Sequence, residues 1–453
     1  MHLHVLGICG TFMAGIARLA VELGHRVTGM DKMAYPPMSE QLAALGIDVQ
    51  AAWDQPLGCE PDLVIVGNAA TRGVPAVEQM LNEGRAYVSG PGWLREHVLR
   101  HRDVIAVAGT HGKTTTSSML TWLLHDAGLE PGFLIGGVPG NFEVSAALGR
   151  GPFVLEADEY DTAFFDKRAK LLHYPATTFV LNNIEFDHAD IYPDIAAIRR
   201  QFHHAIRTLP SRATILRAVP DAEIDATLDA GCWSQVVTFG AREDGAEWAL
   251  GAATADQRQF EILRGGSVVA TVDWDVPGAH NRRNALAAIA AAACSGVNPQ
   301  DAARSLAGFH LPARRLEWRG DTAGRRLYLD FAHHPSAVKE TLAALTAPGK
   351  RVLAVLELRS NTMRGGAHGS AVAEALAAAG PAWLLGNPDN ASDYAEHGIL
   401  IADDSENLAQ ELVQRSCPND IIVLMSNGDL TGLADRIQAL LRQEPEPAGH
   451  SHS

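Results

Sequence analysis

Cysteine is scarce in this chain, and its scarcity argues against two kinds of structural framework. The 453 residues include five cysteines, which lie far apart and form no CxxC pair. Structural zinc sites draw ligands from closely spaced cysteines, and small disulfide-bonded domains need cysteine at high density. The pattern therefore predicts reduced thiols, which are typical of cytoplasmic proteins.

Long apolar runs are lacking as well. No charge-free apolar stretch of about 18 residues, the length that crosses a bilayer, occurs in the sequence. The short apolar segment 2–6 leads directly into a glycine loop, which is not the pattern of a secretion signal. We expect a cytoplasmic protein that does not insert into a membrane.

Positive charge is in deficit. Lysine and arginine number 37 against 53 aspartates and glutamates, so the formal net charge is -16. A protein that coats nucleic acid needs a basic stripe on its surface, and this class is therefore disfavoured. Nucleotides are not excluded, because a phosphate site is local and needs only backbone N–H groups and one cation.

The length and the order of apolar segments predict three α/β domains. Residues 1–100 show the strand–loop–helix–strand succession of a Rossmann-like parallel sheet. Residues 101–312 form a central domain with a phosphate-loop pattern, and residues 313–442 again alternate strands with alanine-rich helices in a Rossmann-like manner. The polar tail 443–453 is predicted to be disordered.

The strongest local signal is the segment 108–116, AGTHGKTTT, between an apolar strand and a helix. Successive N–H groups in such a loop surround phosphate oxygens, and the helix dipole adds positive potential. Lys113 would neutralise phosphate charge, and Thr114 or Thr115 would place a hydroxyl on Mg²⁺. The loop is a shorter GxxGKT form than a standard Walker loop. The alternative is a turn that binds nothing, but a buried lysine without an anion would be costly. The candidate ATP ligands here are Gly109, Thr110, His111, Gly112, Lys113, Thr114 and Thr115.

Two further candidates follow apolar strands. Glu159 comes after the strand at 153–155, and His188 comes after the strand at 178–181. The carboxyl ends of strands in α/β sheets are where ligands bind, and a carboxylate suits Mg²⁺. Imidazole is an unusual ligand for so hard a cation. The alternatives are a solvated acid for Glu159 and a core or helix-cap histidine for His188.

Six motifs occur in one order between residues 109 and 335, and together they resemble those of the Mur ligase family. Members of this family are ATP-dependent enzymes that join a carboxylate to an amine through an acyl phosphate. The motifs are GTHGKTTT at 109–116, EADEYD at 156–161, NNIEFDH at 182–188, GAHNRRN at 278–284, RRLE at 314–317 and DFAHHP at 330–335.

The resemblance implies catalytic roles for Lys113, Glu159, His188 and Arg315. Mg²⁺ would be held by Thr114 or Thr115 together with Glu159 and His188. Several family members carry a carbamylated lysine that bridges two Mg²⁺ ions, but this chain has no lysine between Lys170 and Lys339. The number and bridging of metal ions therefore stay open.

The resemblance also implies how the nucleotide is held. Asn284 would contact the adenine edge and Asp330 the ribose, while Arg315 would reach the γ-phosphate with a bidentate fork. Within the same motif, His280 and Asn281 could merely cap the helix that follows.

The first domain resembles the UDP-sugar-binding domain of the muramate ligases. Its loop GICGTFMAG at 7–15 is GxxGxxMxG rather than GxGxxG, so on its own it is a weak signal of dinucleotide binding. Asp31 would face the uridine ribose, although a turn-forming acid is the alternative. The candidate UDP-sugar ligands are Gly7, Cys9, Gly10, Thr11, Phe12, Met13, Asp31 and Asn68.

The third domain resembles that of family members whose acceptor is the murein tripeptide. The segments are RSNTM at 359–363 and MSNG at 425–428. The tripeptide has three carboxylates, so Arg359, Asn361 and Arg364 are candidate acceptor ligands. The chain reads ELRSNTMRGG where the resemblance leads us to expect EPRSNTMKLG, and Arg359 could instead only order its own loop.

The predicted function is therefore an ATP- and Mg²⁺-dependent ligase of peptidoglycan recycling. It would join the lactyl carboxylate of UDP-N-acetylmuramate to the amine of L-alanyl-γ-D-glutamyl-meso-diaminopimelate. The nearest alternative uses L-alanine as acceptor. A ligase that adds glutamate to folate would share the ATP loop but should lack a UDP-binding first domain. An NAD-dependent oxidoreductase leaves the loop at 109–116 unexplained, and a nucleotide-gated binding module would not need Glu159 and His188. Oligomeric state and tolerance of longer peptides stay open.

Overall fold

The computed structural model describes residues 1–34, 37–346, 349–359, 369–387 and 391–443. It contains two compact units. The first consists of Met1–Phe186, Ile191–Asp275 and Arg282–Pro312, and the second of Asp187–Asp190, Val276–Asn281 and the chain from Ala313 onward. Among the described residues, no helix has the length and apolar character needed to cross a membrane.

The first sheet of unit one has five parallel strands in the order β3-β2-β1-β4-β5. Because the order reverses between β1 and β4, the loops that follow these strands border a crevice at the carboxyl edge of the sheet, where ligands bind in such folds. The elements are β1 His2–Leu6, α1 Thr11–Glu22, β2 Arg26–Met30, α2 Met38–Ala44, β3 Val49–Gln50, β4 Leu63–Val66, α3 Pro75–Asn82, β5 Tyr87–Ser89, α4 Gly90–Leu94 and a π-helical turn Arg95–Leu99.

A histidine is buried inside this sheet. The His4 ring is fully buried, and its Nδ1 lies 2.8 Å from Thr28 Oγ1 and 3.3 Å from Cys59 Sγ. Burial, reinforced by the charge of His2, lowers the pKa of His4 to about 4. The folded protein therefore keeps this ring neutral at a pH where the unfolded chain would protonate it.

We expect this burial to make the protein acid-sensitive. Between the ordinary histidine pKa of about 6.5 and the lowered value, the unfolded chain binds the proton, so stability falls as pH falls. The loss attributable to His4 should be on the order of 2 kcal/mol by pH 4.5. Urea unfolding of the wild type and His4→Asn at pH 7 and pH 4.5 measures it. An equal loss in both proteins would contradict this assignment.

The second sheet of unit one has ten strands in the order β17-β16-β15-β14-β13-β12-β6-β9-β7-β8. Its centre is parallel, and antiparallel pairs close both ends. The strands are β6 Val104–Ala108, β7 Gly132–Leu134, β8 Ala146–Ala147, β9 Phe153–Ala157, β12 Thr178–Leu181, β13 Thr214–Val219, β14 Gln235–Ala241, β15 Trp248–Ala253, β16 Gln259–Arg264 and β17 Ser267–Asp273. The helices are α5 Lys113–Asp126, α6 Ile195–Ile206, α7 Ala222–Asp229, α8 Ala279–Cys294 and α9 Pro299–Ser305, with 3-10 turns at Lys170–His173, Arg242–Asp244 and Leu306–Gly308.

One hydrophobic core extends through both sheets of unit one, from Leu3 to Ile224. A hairpin, β10 Asp161–Ala163 and β11 Asp166–Ala169, adds to the packing between the two sheets. Phe164 at its turn packs against the core of the first sheet, and the ring of Phe165 lies 5.0 Å from that of Tyr87. The hairpin therefore ties the central sheet to the first one.

Unit two is built on a six-stranded sheet in the order β18-β19-β23-β20-β21-β22, parallel except for the β18–β19 pair. Leu353, Val355, Trp383, Ile422 and Leu424 form the centre of its core. The elements are β18 Glu317–Thr322, β19 Arg325–Asp330, α10 Pro335–Leu345, β20 Val352–Glu357, α11 Gly369–Ala377, β21 Ala382–Leu385, α12 Ala391–Glu396, β22 Leu400–Ala402, α13 Ser405–Arg415, β23 Ile421–Met425 and α14 Thr431–Gln443. Of the predicted tail, Gln443 ends α14, and residues 444–453 lie outside the described residues.

Candidate active site

The phosphate-loop segment forms a tight turn between β6 and α5. β6 is entirely buried, and the chain leaves it through Gly109 at φ +137° and enters the helix through Gly112 at φ +78°. The first intrahelical bond runs from Thr116 N to Gly112 O at 2.9 Å. The preceding N–H groups of the helix start have no partner within the helix, which is the usual architecture of a phosphate site.

The two glycines are required by close contacts as well as by their backbone angles. A Cβ at Gly112 would lie 2.7 Å from Asn284 Oδ1, and a Cβ at Gly109 would lie 3.0 Å from Asn183 O. Side chains would therefore fill the loop and distort its backbone. The absence of side chains at Gly109 and Gly112 lets Asn182, Asn183 and Asn284 pack directly against the loop backbone.

Two asparagines after β12 hold this loop from the neighbouring strand. Asn183 Oδ1 accepts a hydrogen bond from His111 N at 2.7 Å, Asn183 Nδ2 donates to His111 O at 3.2 Å, and Asn183 O accepts from Thr110 N at 3.2 Å. Asn182 Nδ2 donates to Thr116 Oγ1 at 3.0 Å. Sequence reasoning missed both residues as parts of the site, although two consecutive asparagines after a buried strand were visible.

Replacing Asn183 with alanine should weaken ATP binding more than it slows the reaction. The change removes two side-chain hydrogen bonds that fix the loop backbone, which should raise KM for ATP by about tenfold. Steady-state kinetics with varied ATP measures the effect. Asn298→Ala is the control, since it removes a side-chain bond to Gln300 N at the start of α9. It should cost about 1 kcal/mol of stability. An unchanged KM in Asn183→Ala would refute the role of Asn183.

Lys113 bridges the loop and a buried carboxylate. Its Nζ donates to Gly109 O at 2.7 Å, to Thr110 O at 3.3 Å and to Glu159 Oε2 at 2.7 Å. Burial alone would lower the pKa of Lys113, but the carboxylates of Glu159 and Asp158 raise it overall. Lys113 therefore carries a full positive charge inside the loop at neutral pH.

Two carboxylates, Glu156 in β9 and Glu159 shortly after it, lie beside the helix start. Glu156 Oε1 accepts a hydrogen bond from Thr114 Oγ1 at 3.0 Å, and Glu156 Oε2 accepts from Gly136 N at 2.7 Å. Glu159 is 1% exposed, and Thr115 is also buried. Hydroxyl and carboxylate oxygens are ligands that Mg²⁺ prefers, so the contacting pair of Thr114 and Glu156 offers suitable donor atoms. Glu156 was quoted within a motif but was not predicted as a ligand.

Asp31 closes the glycine loop of the first sheet. Its Oδ2 accepts a hydrogen bond from Cys9 N at 2.7 Å, and its Oδ1 accepts from Lys32 N at 2.7 Å. Gly7 has φ +78°, and its N–H donates to Met30 O at 2.9 Å. The carboxylate thus orders the loop, as a turn-forming acid would. Its contact with a uridine ribose stays a prediction.

The other predicted residues of this loop differ in exposure. Gly10 is exposed, Thr11 and Phe12 are half-buried, and Asn68 is half-buried after β4. Met13 is 5% exposed, and its sulfur lies where a Cβ on Gly90 would approach to 2.7 Å, so it is a packing residue. Burial, with Asp31 nearby, raises the pKa of the Cys9 thiol to about 11, so Cys9 is not a nucleophile at neutral pH.

In unit two, Asp330 lies at the end of β19 with both carboxylate oxygens engaged. Oδ2 accepts from Leu316 N at 2.7 Å, and Oδ1 accepts from Ala332 N at 2.8 Å and from Thr341 Oγ1 at 3.0 Å. Burial raises the pKa of Asp330, against the opposing influence of Arg315 and these hydrogen bonds. The carboxylate therefore anchors the segment that carries Arg315.

The arginine pair before β18 is arranged around one aromatic ring. The guanidinium carbon of Arg315 lies 4.6 Å from the centre of the Phe331 ring, and that of Arg314 lies 5.4 Å from it. Arg314 also donates to Gly428 O at 2.6 Å. Arg314 is thus a structural residue of unit two, while the ring supports the planar group of Arg315.

His188 also belongs to unit two and has an unusual backbone. Its φ is +56°, and its N–H donates to Asp187 Oδ1 at 2.7 Å. Burial alone would raise the pKa of Asp187, but His188, His333 and His334 lower it overall. The Nδ1 of His188 lies 4.0 Å from Asp187 Oδ1.

Arg359 follows β20 and is exposed. A Cβ at Gly428 would lie 2.3 Å from Arg359 Cδ, so the side chain packs directly on this glycine after β23. Glu357 lies 3.9 Å from Arg359 Nε and accepts from Ser426 Oγ at 2.6 Å. Both predicted acceptor segments therefore meet at one edge of the sheet. Asn361 and Arg364 lie outside the described residues.

Three models of Mur ligase domains match successive parts of the chain. "Mur ligase family, catalytic domain" matches residues 2–102, "Mur ligase middle domain" matches 107–292, and "Mur ligase, glutamate ligase domain" matches 314–428. The chain belongs to the Mur ligase family. Mur ligases are ATP-dependent, ADP-forming amide ligases, so the family and the reaction type predicted from the motifs are confirmed.

Curated relatives of this Mur ligase match it over nearly its whole length. The UDP-N-acetylmuramate–L-alanyl-γ-D-glutamyl-meso-2,6-diaminoheptandioate ligase of Escherichia coli K12 is 48% identical over 99% of this chain and 100% of its own. The enzyme of that name from Haemophilus influenzae is 48% identical over 96% of this chain and 98% of its own. A UDP-N-acetylmuramate–L-alanine ligase from Renibacterium salmoninarum is 32% identical over 99% and 97%.

Solved structures agree with the fold of this Mur ligase. A murein peptide ligase from Psychrobacter arcticus has a TM-score of 0.76 at 38% identity, covering 98% of this chain and 99% of its own. The UDP-N-acetylmuramate–alanine ligase of Thermotoga maritima has a TM-score of 0.80 at 20% identity, covering 96% and 98%, which supports the fold alone. The predicted architecture of three α/β domains is confirmed.

The structure brings part of the predicted Mur ligase site together in unit one. Lys113, Thr114, Glu159 and Asn284 all lie at or beside the loop between β6 and α5. His188, Arg315, Asp330 and Arg359 belong to unit two. The roles assigned to the residues of both units in binding metal, ATP or acceptor remain predictions from the sequence.

Proposed function

We propose that this Mur ligase joins the lactyl carboxylate of UDP-N-acetylmuramate to the amine of L-alanyl-γ-D-glutamyl-meso-diaminopimelate in peptidoglycan recycling. The observation that carries the proposal is the 48% identity, over 99% of the chain, to the Escherichia coli ligase whose name states this pair of substrates. ATP is the second substrate, and the products are the amide, ADP and phosphate.

The loop at 109–112 is the proposed site of the ATP phosphates. A carboxylate oxygen of the sugar attacks the γ-phosphorus, and the bond to the ADP oxygen breaks. Lys113 stabilises the negative charge that shifts onto the leaving oxygen, because its ammonium group is already fixed by Gly109 O and Glu159. The ammonium group therefore does not have to move while charge develops during the reaction.

The acyl phosphate then reacts with the peptide. The amine nitrogen forms a bond to the acyl carbon, phosphate leaves, and the amine loses a proton. Because water would hydrolyse the acyl phosphate, the enzyme must exclude it from the reacting carbon. The buried setting of Glu159, Thr114 and Thr115 supports this requirement.

Mg²⁺ would be held by Thr114 or Thr115 together with Glu159, and Glu156, which contacts Thr114, is added to the predicted ligands. When bound, the ion would neutralise phosphate charge. His188 stays a predicted additional ligand. The proposed ligands of the UDP sugar lie in the segment 7–13 after β1, with Asp31 after β2 and Asn68 after β4. Arg315 and Asp330 stay proposed ATP-binding residues. Of the three candidate ligands of the acceptor peptide, Arg359 is the one that lies within the described residues.

The deciding experiment measures phosphate release with ATP, Mg²⁺ and UDP-N-acetylmuramate, comparing the murein tripeptide with L-alanine. Turnover with the tripeptide, and little with L-alanine, supports the proposal. Turnover with L-alanine alone would keep the family and overturn the proposed acceptor. Glu159→Gln should lose amide formation while still binding ATP, which separates catalysis from mere nucleotide binding.

A further inference from the structure

Lys170 is a buried cation for which the reaction outlined above has no use. It begins the 3-10 turn after β11 and is 8% exposed. Its Nζ donates to Asp158 Oδ2 at 2.9 Å. The backbone is fixed at the same place, because Lys170 N donates to Tyr160 O at 3.0 Å and Leu171 N donates to Asp158 O at 3.2 Å. The position of the ammonium group is therefore built into the fold.

Two aromatic rings accompany this ammonium group. The Nζ of Lys170 lies 5.5 Å from the centre of the Phe12 ring and 5.7 Å from that of Tyr160. Rings at this distance attract a cation through their negative faces. Phe12 is the second residue of α1 and directly follows the glycine loop of the first sheet. Lys170 thus brings a positive charge from the central sheet to the loop proposed to bind the UDP sugar.

The partner of Lys170 also links it to the phosphate loop. Asp158 is adjacent in sequence to Glu159, and Glu159 Oε2 lies 2.7 Å from Lys113 Nζ. Two consecutive carboxylates therefore bind two lysines, one in the phosphate loop and one beside Phe12. A ligand group held by Lys170 would lie between the glycine loop of the first sheet and the phosphate loop, both of which belong to unit one.

We propose that Lys170 binds the lactyl carboxylate of the sugar nucleotide and so selects muramate over UDP sugars that lack this group. The inference rests on the proposed function. An ammonium group has three donors, and the contact with Asp158 uses one of them. The diphosphate is assigned by the proposed function to the loop after β1, so it does not compete for Lys170. The lactyl carboxylate, in contrast, must approach the phosphate loop in order to react.

Equilibrium binding tests this assignment without turnover. Isothermal titration with UDP-N-acetylmuramic acid and with UDP-N-acetylglucosamine compares two ligands that share the uridine diphosphate and differ in the lactyl group. Lys170→Met should weaken binding of the muramic acid nucleotide about 10- to 100-fold, because a charge-assisted hydrogen bond is lost. Its affinity for the glucosamine nucleotide should stay unchanged. Lys170→Arg should retain the preference for muramate.

The controls separate binding from folding. Lys167→Met removes the charge of an exposed lysine on the same hairpin, paired with Asp161 at 2.6 Å, and should alter neither affinity. The double variant Lys170→Met/Asp158→Asn avoids leaving Asp158 with an unpaired charge and should show the same selective loss. Equal weakening for both nucleotides, or no weakening for either, would overturn the inference while the proposed function stands. A wild-type protein that binds neither nucleotide would overturn the proposed function, and the inference with it.

Discussion

Lys113→Met should reduce turnover by at least about 10²–10³-fold, the range found when one preorganised donor to transition-state charge is removed. The methionine side chain fills similar space but lacks the charge that the loop holds against Gly109 O and Glu159 Oε2. Single-turnover phosphate release with saturating UDP-N-acetylmuramate and tripeptide measures the chemical step. Protein that retained a tenth of the wild-type rate would contradict the proposed role of Lys113.

The same substitution should also destabilise the protein, and the two effects can be separated. The side chain of Glu159 is 2% exposed, so losing Lys113 leaves a buried carboxylate without its partner. Such a loss costs about 3–5 kcal/mol. Lys113→Met/Glu159→Gln should recover much of the stability, because no buried charge remains, but none of the turnover. Recovery of both would mean that Lys113 serves the fold and not the reaction.

The phosphate loop could be predicted from the sequence because its signal is local. A buried strand, two glycines and a lysine at the start of a helix occupy consecutive positions, and the structure forms that turn between β6 and α5. The helix itself begins at Lys113, directly after the left-handed Gly112. The local spacing of these residues is therefore enough to predict the turn and the start of the helix.

The supporting residues could not be predicted in this way, because their roles depend on strand order. β12 and β9 pair with β6 on its two sides. Asn183 and Glu156, which lie far from the loop in sequence, therefore converge on its two flanks. Pairing between strands separated by many residues is set by the packing of the whole sheet. The sequence pattern shows that each strand exists, but it does not show which strands are neighbours.

Sequence alone likewise could not show which residues of the first glycine loop bind ligand and which only pack. Phe12 and Met13 are adjacent in the glycine loop and looked equally suitable as sugar ligands. In the structure both side chains lie beside Gly90, but Met13 is buried, whereas Phe12 is half-buried and also contacts Lys170. That difference depends on α4 and on the turn after β11, both distant in sequence. The different surroundings of Phe12 and Met13 are therefore set by packing between elements of the two sheets.

Gly112→Ala should abolish most ATP binding, with a loss of affinity of about 10- to 100-fold, because charge-assisted bonds to the phosphates would be misaligned. The added Cβ would lie 2.7 Å from Asn284 Oδ1 and 3.1 Å from Asn182 Nδ2, and φ is +78°. Either the asparagines or the loop must move, and both belong to the same site. Titration with a non-hydrolysable ATP analogue measures the change.

Gly128 provides a matched control at the other end of the same helix. Its φ is +74°, and a Cβ there would have nothing within 4 Å. Gly128→Ala should therefore cost only the left-handed strain of about 1–2 kcal/mol and leave ATP affinity unchanged. Gly112→Ala/Asn284→Ala removes the nearest clash. If that double variant binds the analogue better than Gly112→Ala, crowding by Asn284 causes the loss; equal affinities would assign the loss to backbone strain at Gly112.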